Sequence, residues 1–104
     1  MGSETFLKAA GALYDETRLR LLKTIDRNGP LCVCELEAAF DMIQSRLSRH
    51  LKILKEAGFL SSERRGRWVY YAVRKELSRF HRCAIEEIRR LDLEIPETKK
   101  ACAS

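Results

Sequence analysis

Apolar residues recur at helical intervals in the middle of the chain. Ile43, Leu47, Leu51 and Leu54 stand four, four and three positions apart, which puts them on one face of a helix over residues 44–58. The other face carries Gln44, Ser45, Arg46, Ser48, Arg49 and Lys52, and Gly58 supplies the left-handed turn that ends many helices. Three helices are predicted before this one. Residues 4–13 place Phe6, Ala9, Ala10 and Leu13 on one side. Asp15 is suited to cap a second helix with Leu19, Leu22 and Ile25 inward, stopped by Gly29-Pro30. Residues 31–40 form a short third helix with Leu36, Ala39 and Phe40 apolar, and Asp41-Met42 makes the turn into the fourth.

After Gly58 the period shortens. Phe59-Leu60 leads to Arg64-Arg65-Gly66-Arg67, and Trp68-Val69-Tyr70-Tyr71-Ala72-Val73 is aromatic and β-branched, as a strand requires. A two-stranded hairpin turning at Gly66 follows. Residues 75–93 read as a last helix, with Leu77, Phe80, Ala84, Ile88 and Leu91 spaced three, four, four and three and Ile85 widening the stripe. Residues 1–95 thus form one mainly α domain of about five helices and a hairpin, and 96–104, from Pro96, a flexible C-terminal tail. A short helix, a tight turn, a longer polar-faced helix and a hairpin make a winged helix-turn-helix.

Charge gives the polar face a meaning. A charged stripe alone is more often a solvated surface. Between Gln44 and Lys75, however, nine Lys or Arg stand against two Glu, a local charge of +7, while the whole chain carries +5 and the remainder −2. Positive charge concentrated on one helix and the hairpin after it is the footprint of a nucleic-acid binder. Gln44, Arg46 and Arg49 suit base edges; Ser45, Ser48, Lys52 and the wing residues Arg64, Arg65 and Arg67 suit phosphates. Trp68, Tyr70 and Tyr71 could stack on bases, but in a hairpin sheet packing is the more natural role. A domain of this size leaves little core for a long last helix, so the first and last helices are expected to pair with a second copy, giving a homodimer on double-stranded DNA.

Four cysteines with no secretory signal and no membrane-length apolar run point to a reducing cytoplasm, where thiols bind metals or do redox work. Cys32 and Cys34 open the third helix, where the macrodipole favours thiolates. On a regular helix two residues apart point about 200° away from each other, so joint binding requires that first turn to be extended. Their alternative role is as small buried core residues. Cys83 lies beside the apolar stripe of the last helix, Cys102 in the tail. His81 and Cys83 are too poorly placed on one helix to form a nucleophile and its base. The chain carries no Gly-rich phosphate loop, paired catalytic carboxylates or triad, which excludes the common enzyme classes.

Three motifs carry a resemblance: DETRLRLL from Asp15, LCVCEL from Leu31, and QSRLSRHLKILKEAG from Gln44 followed by RRGRWVYY. Over about residues 9–91 the chain resembles the ArsR/SmtB family of metal-responsive winged-helix repressors, of the arsenite-sensing type. The resemblance implies a homodimer that holds an operator with an inverted repeat and releases it when Cys32 and Cys34 bind arsenite or antimonite. His50 joins the DNA face through the same motif. Glu37 stands where such sensors often have a third cysteine, so the third ligand falls to Cys102, to Cys83 or to a small cellular thiol, with Cys102 the first candidate. Of the zinc sensors' ligands on the last helix only His81 has a counterpart. Cadmium or lead sensing and a thiol-redox or persulfide switch at Cys32 and Cys34 are the alternatives within the regulator class; a metal or protein interaction module without DNA binding is the alternative outside it.

Overall fold

The computed structural model describes residues 1–98. Its elements run α1 (Ser3–Ala12), α2 (Glu16–Asn28), β1 (Leu31–Cys32), α3 (Val33–Phe40), α4 (Gln44–Glu56), β2 (Leu60–Arg65), β3 (Trp68–Val73) and α5 (Arg79–Arg90). Asp15 caps α2 as its residue type dictates, with its carboxylate accepting from the Arg18 N–H at 3.0 Å. The inward residues Leu21, Leu22, Ile25, Leu36, Leu47, Leu51, Leu54, Phe59 and Ile85 make one core beneath the helices.

The sheet has three strands, not two. All pairs are antiparallel in the order β1-β3-β2, with Leu31 opposite Tyr71 and Cys32 opposite Tyr70. Residues 31 and 32 are therefore extended, and α3 starts at Val33 instead of Leu31. A strand of two residues is too short to display a period, and its conformation comes from pairing with β3, which lies almost forty residues away along the chain.

The last helix is also shorter than expected. The ladder is prolonged by the Arg74 N–H donating to the Phe59 carbonyl at 3.0 Å, so residues 74–77 stay outside the helix. Ser78 caps α5 by accepting from the His81 N–H at 3.3 Å, and α5 ends at Arg90. Leu77 thus packs against the core from a connection. α5 is fastened to α2 at two points. Arg89 grips the Asp26 carboxylate through Nε and Nη2 at 2.8 and 3.0 Å, and Lys23 Nζ donates to the Leu91 carbonyl at 2.6 Å. Glycine is required at two turns: Gly58 (φ +91°) after α4 and Gly66 (φ +63°) at the hairpin tip.

Candidate nucleic-acid interface and thiol site

α4 sorts its residues by face. Leu47, Leu51 and Leu54 are completely buried, while Gln44, Ser45, Arg46, Arg49 and Lys52 are exposed and Ser48 and His50 half-buried. Ile43, which the spacing placed with the leucines, is instead exposed at the N-cap and makes no side-chain cap bond. The first turn of α4 contains no acidic residue, so its free N–H groups and the helix dipole favour an anion. Lys55 turns aside to donate to Ser62 Oγ at 2.7 Å and ties α4 to β2 of the wing.

The wing arginines are not equivalent. Arg65 pairs with Glu63 at 2.8 Å and lies over the Tyr70 ring, its guanidinium carbon 4.7 Å from the centroid. Arg67 covers Trp68 at 5.2 Å. Among the described residues Arg64 makes only a long 3.5 Å bond to the Gly66 carbonyl. All three are exposed, but Arg65 already has a partner for its charge. Tyr70 is buried and Trp68 and Tyr71 half-buried within the sheet, which favours packing over base stacking. Burial raises the Tyr71 hydroxyl above its ordinary pKa.

His50 occupies a junction. Its Nδ1 faces Arg18 Nη1 at 3.4 Å. Burial lowers its pKa below the usual 6.5; Asp15 opposes this, and Arg18, Arg46 and Arg49 reinforce it. His81 is buried and held at both nitrogens, by the Ala57 carbonyl and by Ser78 Oγ, so it is a structural residue of α5.

The thiol pair is assembled by the break between β1 and α3. Cys32 is fully buried and extended (φ −83°, ψ 160°) at the N-cap of α3, and Cys34 is half-buried in the first turn. Because Cys32 lies outside the helix, the two side chains do not diverge. Their Cα atoms are 5.4 Å apart and their sulfurs are joined as a disulfide. Glu35, 2% exposed, accepts from the Cys32 N–H at 2.9 Å through Oε1, while Oε2 is buried with no hydrogen-bond partner among the described residues. Sequence reasoning overlooked Glu35, although an acid three residues into a helix is the signal of a capping box. Cys83 is a free thiol, exposed in the single chain. Cys102 lies outside the described residues. Among the described residues no group of three His, Cys, Asp or Glu side chains converges to hold a metal ion. When reduced, the pair would present two sulfurs at one place.

Residues 15–62 match the sequence family described as "Bacterial regulatory protein, arsR family". The chain is 49% identical over 65 residues to the arsenic resistance transcriptional regulator ArsR1 of Pseudomonas putida, covering 62% of this chain and 51% of that protein. It is 38% identical over 82 residues to the arsenical resistance operon repressor of Escherichia coli, covering 79% of this chain and 70% of that protein. The chain spans about half the length of the first of these relatives. HlyU from Vibrio cholerae superposes with a TM-score of 0.72 at 29% identity, over 86% of this chain and 94% of that one.

Proposed function

The chain belongs to the arsR family of bacterial transcriptional regulators, and from that premise we propose that it is an arsenic(III)- or antimony(III)-responsive repressor acting in the cytoplasm. It binds operator DNA as a homodimer and lets go when Cys32 and Cys34 take up the metalloid. The observation that carries this reading is the meeting of the two sulfurs at the start of α3, the helix that runs through a single turn into α4. Relatives named for arsenic resistance support the choice of effector.

The chemistry is simple in outline. Reduction of the disulfide by two equivalents of a small cellular thiol, which leave as their own disulfide, yields two thiols at one place. Arsenous acid condenses with them, forming two As–S bonds and releasing two water molecules. The soft metalloid selects soft sulfur. A third thiol completes the coordination, and Cys102 is the first candidate. Holding the two sulfurs on one arsenic atom would fix their spacing, which two free thiols do not, and so alter the first turn of α3, and α3 packs on α4. Effector and operator then weaken each other by the same factor, typically about 1–3 kcal/mol of coupling.

The dimer is expected along α1 and α5. The Phe6 and Phe80 rings meet at a tilt of 58° with centroids 4.9 Å apart, yet Phe6 remains 44% and Leu7 66% exposed. Two such copies would set two α4 helices about one turn of DNA apart, hence an operator with an inverted repeat. A second reading, a thiol-redox repressor, is favoured by the disulfide itself. The test is a gel shift of reduced protein on the DNA upstream of its own gene. Release by micromolar arsenite under reducing conditions supports the metalloid reading. Release only by a thiol oxidant supports the redox reading. DNA binding that does not weaken with salt contradicts both.

A further inference from the structure

Arg18 holds three elements together. Its Nε donates to the Ala12 carbonyl at 2.7 Å and its Nη2 reaches the Gly11 carbonyl at 3.4 Å, both at the end of α1. Its Nη1 lies 3.4 Å from His50 Nδ1 on α4 and 3.7 Å from the Asp15 carboxylate. The Arg18 side chain is only 14% exposed, so these contacts replace most of its water. A guanidinium only donates. The His50 Nδ1 must therefore accept, which places the ring proton on Nε2. A protonated imidazole would lose that acceptor and face Arg18 from α2 as well as Arg46 and Arg49 from its own helix, with Asp15 opposing them. No protein partner for Nε2 is present among the described residues.

Leu47, Leu51 and Leu54 set which face of α4 is buried through non-directional contacts, whereas a hydrogen bond is directional. A polar tie from the middle of the helix fixes the rotation, and with it the direction of Arg46 and Arg49.

We propose that Arg18 is a positioning residue for DNA recognition, tying the end of α1 to His50 and leaving His50 a neutral ring whose Nε2–H is offered to an acceptor on the DNA. The proposal rests on the DNA-binding reading of α4. It adds a residue outside the recognition helix and a defined tautomer within it.

The experiment combines a double-mutant cycle with nitrogen-15 spectroscopy of the two histidines. Arg18→Gln and His50→Ala should each lower operator affinity about tenfold, and the double variant should be no worse than either alone. Wild-type His50 should show the Nε2–H form, and Arg18→Gln should convert it to a mixture of tautomers and raise its titration midpoint. If Arg18→Gln does not fold, Arg18→Lys carries the same comparison, since it keeps the charge but loses the fork. Additive losses, or a wild-type proton on Nδ1, overturn the proposal while leaving DNA binding by α4 intact. Absence of salt-dependent binding by the wild type would overturn the DNA reading and this proposal with it.

Discussion

His81 Nε2 donates to the Ala57 carbonyl at 2.7 Å, joining α5 to the end of α4. The carbonyl can only accept, so this nitrogen carries the proton, and Nδ1 is left to accept from the Ser78 hydroxyl. The ring also meets Phe59 edge to face at 4.6 Å. A Cβ on residue 58 would sit 2.8 Å from Nε2, so the glycine serves both its positive φ and the close approach of the imidazole.

His81→Ala should cost at least about 1–3 kcal/mol, because it strands the Ala57 carbonyl in the core. Gly58→Ala should cost about as much through strain and clash. In a His81→Ala background the clash disappears, so the Gly58→Ala penalty should shrink. Urea unfolding of the four proteins measures the coupling, and strict additivity would mean the ring does not crowd residue 58.

The wing predicts a difference between neighbouring arginines. Arg67→Ala should flatten the dependence of operator affinity on salt by about 0.9 in the log–log slope, one phosphate's worth, without changing sequence preference. Arg65→Ala should change the slope less, since Glu63 already offsets its charge. Glu63→Gln should strengthen binding. Fluorescence anisotropy between about 50 and 200 mM salt gives the slopes.

Substitutions on α1 and α5 should separate dimerisation from folding. Ile88 is buried within the single chain, so Ile88→Glu should unfold it rather than merely part a dimer. Leu7 is exposed, so Leu7→Glu should leave the fold intact, yield a monomer by sedimentation and weaken operator binding. A Leu7→Glu protein that stays dimeric would move the interface elsewhere.

Acid should act through His50. Its folded pKa lies below the ordinary 6.5, so the unfolded chain binds more protons once the pH falls under that value. Its contribution is therefore a loss of stability as pH drops through 6.5 toward the folded pKa, and no effect above it. The difference in unfolding free energy between wild type and His50→Gln, followed from pH 7.5 to 5, isolates this share. A difference independent of pH would show that the ring is not held neutral.

The sequence revealed those features whose causes are local. The leucine stripe, the Asp15 cap and Gly58 marked α2 and α4, because helix period and capping chemistry lie within a few residues. The strand at Leu31 and Cys32 was hidden, since its partners Tyr70 and Tyr71 lie far along the chain. Ser78 did signal the start of α5, but the apolar spacing of Leu77 with Phe80 masked it. For the thiol pair, the spacing of Cys32 and Cys34 was visible, whereas their meeting depended on the unforeseen strand. The contact of Arg18 with His50 has no sequence signature, because it joins residues thirty-two positions apart across two helices.

The central claim is that Cys32 and Cys34 form the switch. Its most direct measurement is titration of operator-bound, reduced protein with arsenite, for the wild type and for Cys32→Ser, Cys34→Ser and Cys102→Ser. Cys32→Ser and Cys34→Ser should bind the operator as the wild type does and fail to release it, while Cys102→Ser should respond more weakly. Release by both box variants at the wild-type arsenite concentration would contradict the account.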